Sequence, residues 1–104
     1  MKIGDRVGAI LGSNKDGGID FFGYGVYEGD FISTEAVGFM ADIARELSHE
    51  NPRLKMDDGS IVYGCECWWG PEDKVRKLLE GRDVNIVSIE SIRDKFKESL
   101  AVEE

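Results

Sequence analysis

Tyr63-Gly64-Cys65-Glu66-Cys67-Trp68-Trp69-Gly70-Pro71-Glu72 gathers both tryptophans and both cysteines of the chain and sets a carboxylate between the thiols. Three chemistries could use such a run. Two thiolates could share a soft metal, but zinc takes four ligands, and Cys65-x-Cys67 has no second cysteine pair. His49 is the only histidine and belongs to a different predicted element. No metal and no cofactor are expected. A cysteine nucleophile would need a neighbouring base and a depressed thiol pKa. Glu66 works the other way, because its negative charge disfavours a thiolate on either side.

Paired carboxylates are the second chemistry. Glu28 and Asp30 follow an aromatic strand, and Glu66 lies on a strand that would approach it. Glycoside hydrolysis uses two carboxylates at a defined separation. Glu28-Gly29-Asp30 is also ordinary turn composition, and a chain of 104 residues leaves little room for a deep cleft. No Gly-x-Ser-x-Gly elbow occurs, and the glycines of 12–18 lack the Lys-Ser/Thr of a phosphate loop. No catalytic residue is expected.

Recognition by aromatic rings is the third. Phe22, Tyr24, Tyr27, Trp68 and Trp69 cannot all enter one small core together with Phe21, Phe31, Phe39 and Phe96. Some of them should line a groove or a subunit contact, where Tyr and Trp serve as anchors. The candidate binding residues are Tyr24, Tyr27, Glu28, Glu66 and Trp68. Tyr24 and Trp68 are the anchors, and Arg6, Glu28 and Glu66 form a polar rim.

The elements that would hold these residues follow from periodicity. Arg6–Leu11 and Ile19–Tyr27 read as strands of an antiparallel hairpin, joined through the glycine-rich 12–18 turn and closed by Glu28-Gly29-Asp30. Gly23 and Gly25 suggest a bend or a close neighbour. Over 33–48, Val37, Met40, Ala44 and Leu47 recur at helical spacing, with Ser33 or Thr34 as cap and Asn51-Pro52 as stop. Arg53–Met56 and Ser60–Trp69 form a second hairpin through Asp57-Asp58-Gly59. Strict alternation along 60–69 would put Ile61, Tyr63, Cys65, Cys67 and Trp69 on the core face and Val62, Glu66 and Trp68 on the other. Pro71 opens a helix that buries Val75, Leu78 and Leu79 and ends at Gly81. Val84–Val87 is a short strand. A last helix begins near Ser88 or Ser91 and carries Ile92, Phe96 and Leu100 on one face. Glu103-Glu104 should fray.

These elements amount to one α+β domain over 1–104. Its barrel strands lie within 3–70, with a helical insertion at 33–48 and a helical part over 71–104. Short, glycine-bent hairpin strands favour a small, strongly bent, mostly antiparallel barrel of about five strands. The opening Gly4-Asp5-Arg6-Val7-Gly8-Ala9-Ile10 resembles the first strand of SH3-like barrels, and the Asp57-Asp58-Gly59 hairpin is similar to their later turns. That resemblance implies an SH3-like barrel, from which the two or three helices read by periodicity, one of them C-terminal, depart. The segments Phe22–Asp30 and Cys65–Gly70 resemble small proteins of bacteriophages and their bacterial hosts, a likeness that supplies no activity.

Composition narrows the partners. With 21 acidic against 13 basic side chains and a net charge of −8, the chain repels a phosphate backbone, so no direct nucleic acid is expected. No apolar run approaches the ~20 residues that span a bilayer, and the N-terminus has no secretory segment. A cytoplasmic protein with no membrane partner and free thiols follows. The expected function is a non-enzymatic binding module that takes a protein segment or small ligand in an aromatic groove. The alternatives are an acidic-surface protein that sequesters a basic or nucleic-acid-binding partner, and a small carboxylate-dependent hydrolase. A homodimer would be a second way to cover the surplus aromatics.

Overall fold

Val7, Ala9 and Leu11 alternate with Gly8 and Ile10, which commits the first strand to one buried face. In the computed structural model, which describes residues 1–102 with side-chain surroundings through residue 98, this segment is β1 (Arg6–Ser13). It turns into the long β2 (Ile19–Ile32). There follow α1 (Phe39–Glu46), β3 (Glu50–Met56) and β4 (Ile61–Tyr63), then a 3-10 turn over Gly64–Glu66 and β5 (Trp68–Pro71). The chain continues as α2 (Glu72–Leu79), β6 (Val84–Ile86) and α3 (Ile89–Val102). The expected fraying of Glu103-Glu104 and the side chain of Leu100 lie outside the described residues.

The strands form one sheet in the order β4-β3-β2-β1-β5, and β6 lies against the start of β2. Every pairing is antiparallel except β6 with β2. The α+β class, the mostly antiparallel sheet and the C-terminal helix all match the sequence reading. β2 pairs β1 through its first half and β3 through its second, and bulges at both places bend it. Gly25 permits this: a Cβ there would sit 2.3 Å from the Lys55 carbonyl oxygen. Among the described residues the sheet stays open, because β4 and β5, at the two ends of the order, do not pair with each other.

One face of the sheet holds the core of Val7, Ala9, Phe22, Leu54, Met56, Val62 and Ile89, with Leu11, Tyr27, Trp69 and Ile92 packed on it. The opposite face lies under α2, whose Val75 reaches so close to Gly8 that a Cβ there would meet it at 2.7 Å. α3 starts where expected, with the Ser88 hydroxyl accepting from the Ser91 backbone N–H at 3.1 Å.

Three expectations are corrected. Glu28-Gly29-Asp30 is a bulge inside β2 and not a terminating turn: the register slips between Tyr27 and Asp30 and pairing with β3 resumes. The helix expected over 33–48 begins only at Phe39, so neither Ser33 nor Thr34 caps it. Ser33 is buried, and the Arg45 guanidinium donates to the Ser33 and Ala36 carbonyls at 2.7 Å each. This holds 33–38 out of the helix until Gly38, whose φ of 119° suits glycine. Finally, Ser60–Trp69 is not one strand. The Glu66 carboxylate reaches back to the Tyr63 N–H at 3.1 Å, closing the 3-10 turn and ending the alternation. The faces within β4 are also reversed from the expected ones: Val62 enters the main core, while Tyr63 is buried in a second cluster with Ala36 and Ala41, and Cys65 is exposed.

Candidate functional site

Trp68 lies on β5 directly opposite Ile10 of β1. Ile10 faces Phe21 of β2, and Phe21 faces Ile86 of β6. Residues opposite one another in a ladder share a face. Ile86, Phe21, Ile10 and Trp68 therefore make an apolar row across four strands, on the side away from the core. Phe21 is buried within the row, while both end residues are exposed. Trp68 is 77% exposed. Beside it runs a cleft of about 330 Å³ between β5 and α2, lined by Ile10, Trp69, Pro71, Val75 and Leu78, with Lys74 at its mouth.

Tyr24 is on the same face but does not join Trp68. Its ring meets the edge of Phe21 at 5.0 Å and lies beneath the Arg76 guanidinium at 4.5 Å. Val75, seated over Gly8, separates it from the Trp68 cleft. Tyr27 belongs to the other face, stacked on Trp69 with ring centroids 5.7 Å apart. Its hydroxyl donates to Asp30 at 2.7 Å, and that bond to a carboxylate raises its pKa.

The carboxylates expected at the rim already have partners. Arg53 donates to Glu28 at 2.9 Å. Arg93 holds both oxygens of Glu66, at 2.7 and 2.9 Å. Arg6 binds Asp57 through two bonds and Glu72 through a third. Glu28 and Glu66 thus stand apart, each bound to its own arginine. Of the five candidate residues, only Trp68 presents an open ring with a cleft beside it.

The thiols are poor nucleophiles. Cys65 is exposed as a residue, yet partial desolvation of its thiol, followed by the Glu66 charge, pushes its pKa up; the same causes in the same order push Cys67 up to about 12. Cys67 spends its S–H on the Tyr63 carbonyl at 3.5 Å. Among the described residues, no three His, Cys, Asp or Glu side chains converge as a metal site, and no helix is long and apolar enough to cross a membrane.

A second exposed apolar surface escaped the periodicity argument. α1 buries Ala41 and Ala44 and exposes Phe39, Met40 and Leu47, so of the residues that recur at helical spacing Ala44 turns inward while Met40 and Leu47 turn outward. The available signal was the alanine pair at 41 and 44, which marks a second, flatter apolar face on the same helix. Between α1 and α3 lies a cleft of about 240 Å³ walled by Leu11, Val37, Phe39, Met40, Ile92 and Phe96. Compared with known families, curated proteins and solved structures, the chain matches none.

Proposed function

We propose that this chain is a non-enzymatic binding module of SH3-like barrel type that takes an apolar protein segment against Trp68. The order β4-β3-β2-β1-β5, with a 3-10 turn joining β4 to β5, supports the SH3-like reading. One observation carries the function. A tryptophan ends an apolar row across the sheet at 77% exposure, beside a cleft floored by Ile10 and walled by Val75 and Leu78. Exposed apolar patches of this kind are interaction surfaces, and a rigid aromatic ring beside a cleft is the usual anchor. The net charge of −8 favours a segment with basic flanks, through long-range attraction.

The alternatives have less support. The carboxylates of the hydrolase reading are engaged within the chain: Glu28 and Glu66 each pair with an arginine, and Asp30 accepts from the Tyr27 hydroxyl. The test is selection of peptides from a random display library on the wild-type chain, followed by measurement of each binder against Trp68→Ala. Binders that need Trp68, on a variant that melts like wild type, support the module. Selected peptides that bind Trp68→Ala equally well overturn it.

A further inference from the structure

α1 is an amphipathic helix placed with its larger apolar side chains outward. At about 100° per residue, Phe39, Met40, Ile43 and Leu47 fall on one stripe, while the buried Ala41 and Ala44 fall on another, from which Ala41 packs with Ala36 and Tyr63. Phe39 is 75% exposed, Met40 68% and Leu47 73%. Phe39 and Met40 of this stripe also wall the cleft between α1 and α3, together with Leu11, Val37, Ile92 and Phe96. The same face therefore carries both projecting side chains and a cavity to receive them.

We infer that this α1–α3 face is a homodimer contact, with α1 of one protomer seated in the α1–α3 cleft of a second copy about a twofold axis. Self-complementarity is what such an axis demands, since whatever a patch inserts it must also accept. Charge favours the same occupant. Exposed Glu46 borders the apolar stripe on α1, and exposed Lys95 lines a neighbouring hollow on α3 that shares Leu11, Ile92 and Phe96 with the cleft. Seating α1 of one copy on α3 of the other brings Glu46 toward Lys95 twice, once on each side of the axis. The Trp68 cleft uses none of these helix residues, so dimerisation and partner binding are separate properties of the chain.

Sedimentation equilibrium of the full chain tests the inference. The expected result is a concentration-dependent dimer that Trp68→Ala leaves intact. Phe39→Glu puts a charge into the cleft from an exposed helix position and should weaken the dimer by more than tenfold. Glu46→Lys should weaken it by about tenfold through like-charge repulsion, and adding Lys95→Glu should restore it. A chain that stays monomeric at the concentrations of an NMR sample overturns the inference, and the face then belongs to a different protein. A dimer indifferent to Phe39→Glu, or a charge swap that fails to restore association, overturns it as well.

Discussion

Arg93 and Glu66 together fill the open edge of β4 as one residue of a neighbouring strand would. The Met56 N–H donates to the Ser60 carbonyl at 2.8 Å, a register that turns Ser60 and Val62 toward β3 and Ile61 and Tyr63 away from it. On that outward side, Arg93 Nη2 donates to the Ile61 carbonyl at 2.9 Å, and Glu66 Oε1 accepts from the Tyr63 N–H at 3.1 Å. One donor and one acceptor, joined by their own ion pair, thus satisfy the two groups that a further strand would have taken. An unprotected edge invites pairing with another chain. Burial works against the charge of Arg93, and the Glu66 carboxylate more than offsets it, leaving the arginine's pKa raised.

This arrangement predicts a large cost for Arg93→Ala. The two side chains are only 12% and 9% exposed, and removing one partner strands a buried carboxylate, which costs about 3 kcal/mol or more. Denaturant unfolding should show this loss, and hydrogen exchange should show the Tyr63 amide opening faster than in wild type. Arg93→Lys should recover little, because a lysine cannot bridge both Glu66 oxygens and the Ile61 carbonyl at once. An Arg93→Ala protein with wild-type stability and Tyr63 exchange would remove the edge-filling role.

The adjacent tryptophans should respond in opposite ways. Trp68→Ala removes an exposed ring and should change stability by less than about 0.5 kcal/mol. Trp69→Ala removes the ring stacked on Tyr27 at the rim of the core and should cost about 3 kcal/mol. Fluorescence gives an independent reading: the emission of Trp69→Phe, which retains only Trp68, should resemble that of an indole in water. Equal destabilisation by the two alanine variants would contradict the placement.

The separation of the tryptophans was legible in the sequence for a reason that does not hold throughout. Alternation from Ser60 puts Trp68 and Trp69 on opposite sides, and they are on opposite sides, but only because β5 restores the alternation after the 3-10 turn breaks it. Nothing local announces that turn: Gly64 alone hints at it, and the arginine that holds Glu66 is 27 residues further on. The hairpins were readable because Asp57-Asp58-Gly59 and the 12–18 glycines carry their own backbone chemistry. The late start of α1 was not, since it depends on Arg45 capturing the Ser33 and Ala36 carbonyls. Periodicity identifies the apolar residues of a helix, but tertiary contacts decide which of its faces is covered. The exposure of Phe39, Met40 and Leu47 was not legible on that account, and Glu66 was expected at a rim because its arginine could not be read from local pattern.

The thiols should differ in access and share low reactivity. Cys65 is exposed and Cys67 half-buried, and burial together with Glu66 raises both pKa values, Cys67 to about 12. The thiolate is the reacting species. Iodoacetamide at neutral pH should therefore modify Cys65 slowly and leave Cys67 untouched until the chain unfolds. Mass spectrometry of a time course would check this, and rapid labelling of native Cys67 would refute it.

The last prediction concerns acid. Tyr63 is buried, and its hydroxyl donates to the Glu35 carboxylate, which lowers the pKa of Glu35 below its ordinary 4.5. The same bond, after burial itself, raises that of Tyr63. A carboxylate whose pKa is lower folded than unfolded contributes stability that is complete above the unfolded value and lost as pH falls through the folded one. Between neutral pH and about 5 this contribution should be constant, and below 4.5 it should decline. Tyr63→Phe removes the donor while keeping the ring, so its melting temperature should fall relative to wild type near pH 7. The difference should shrink below pH 4, where a protonated Glu35 no longer benefits from the bond. Asp57, lowered by Arg6, loses its own contribution over the same acid range in both proteins and cancels in the comparison. A gap between the two melting curves that stays the same from pH 7 to pH 3 would show that the Tyr63 hydroxyl does not act through Glu35.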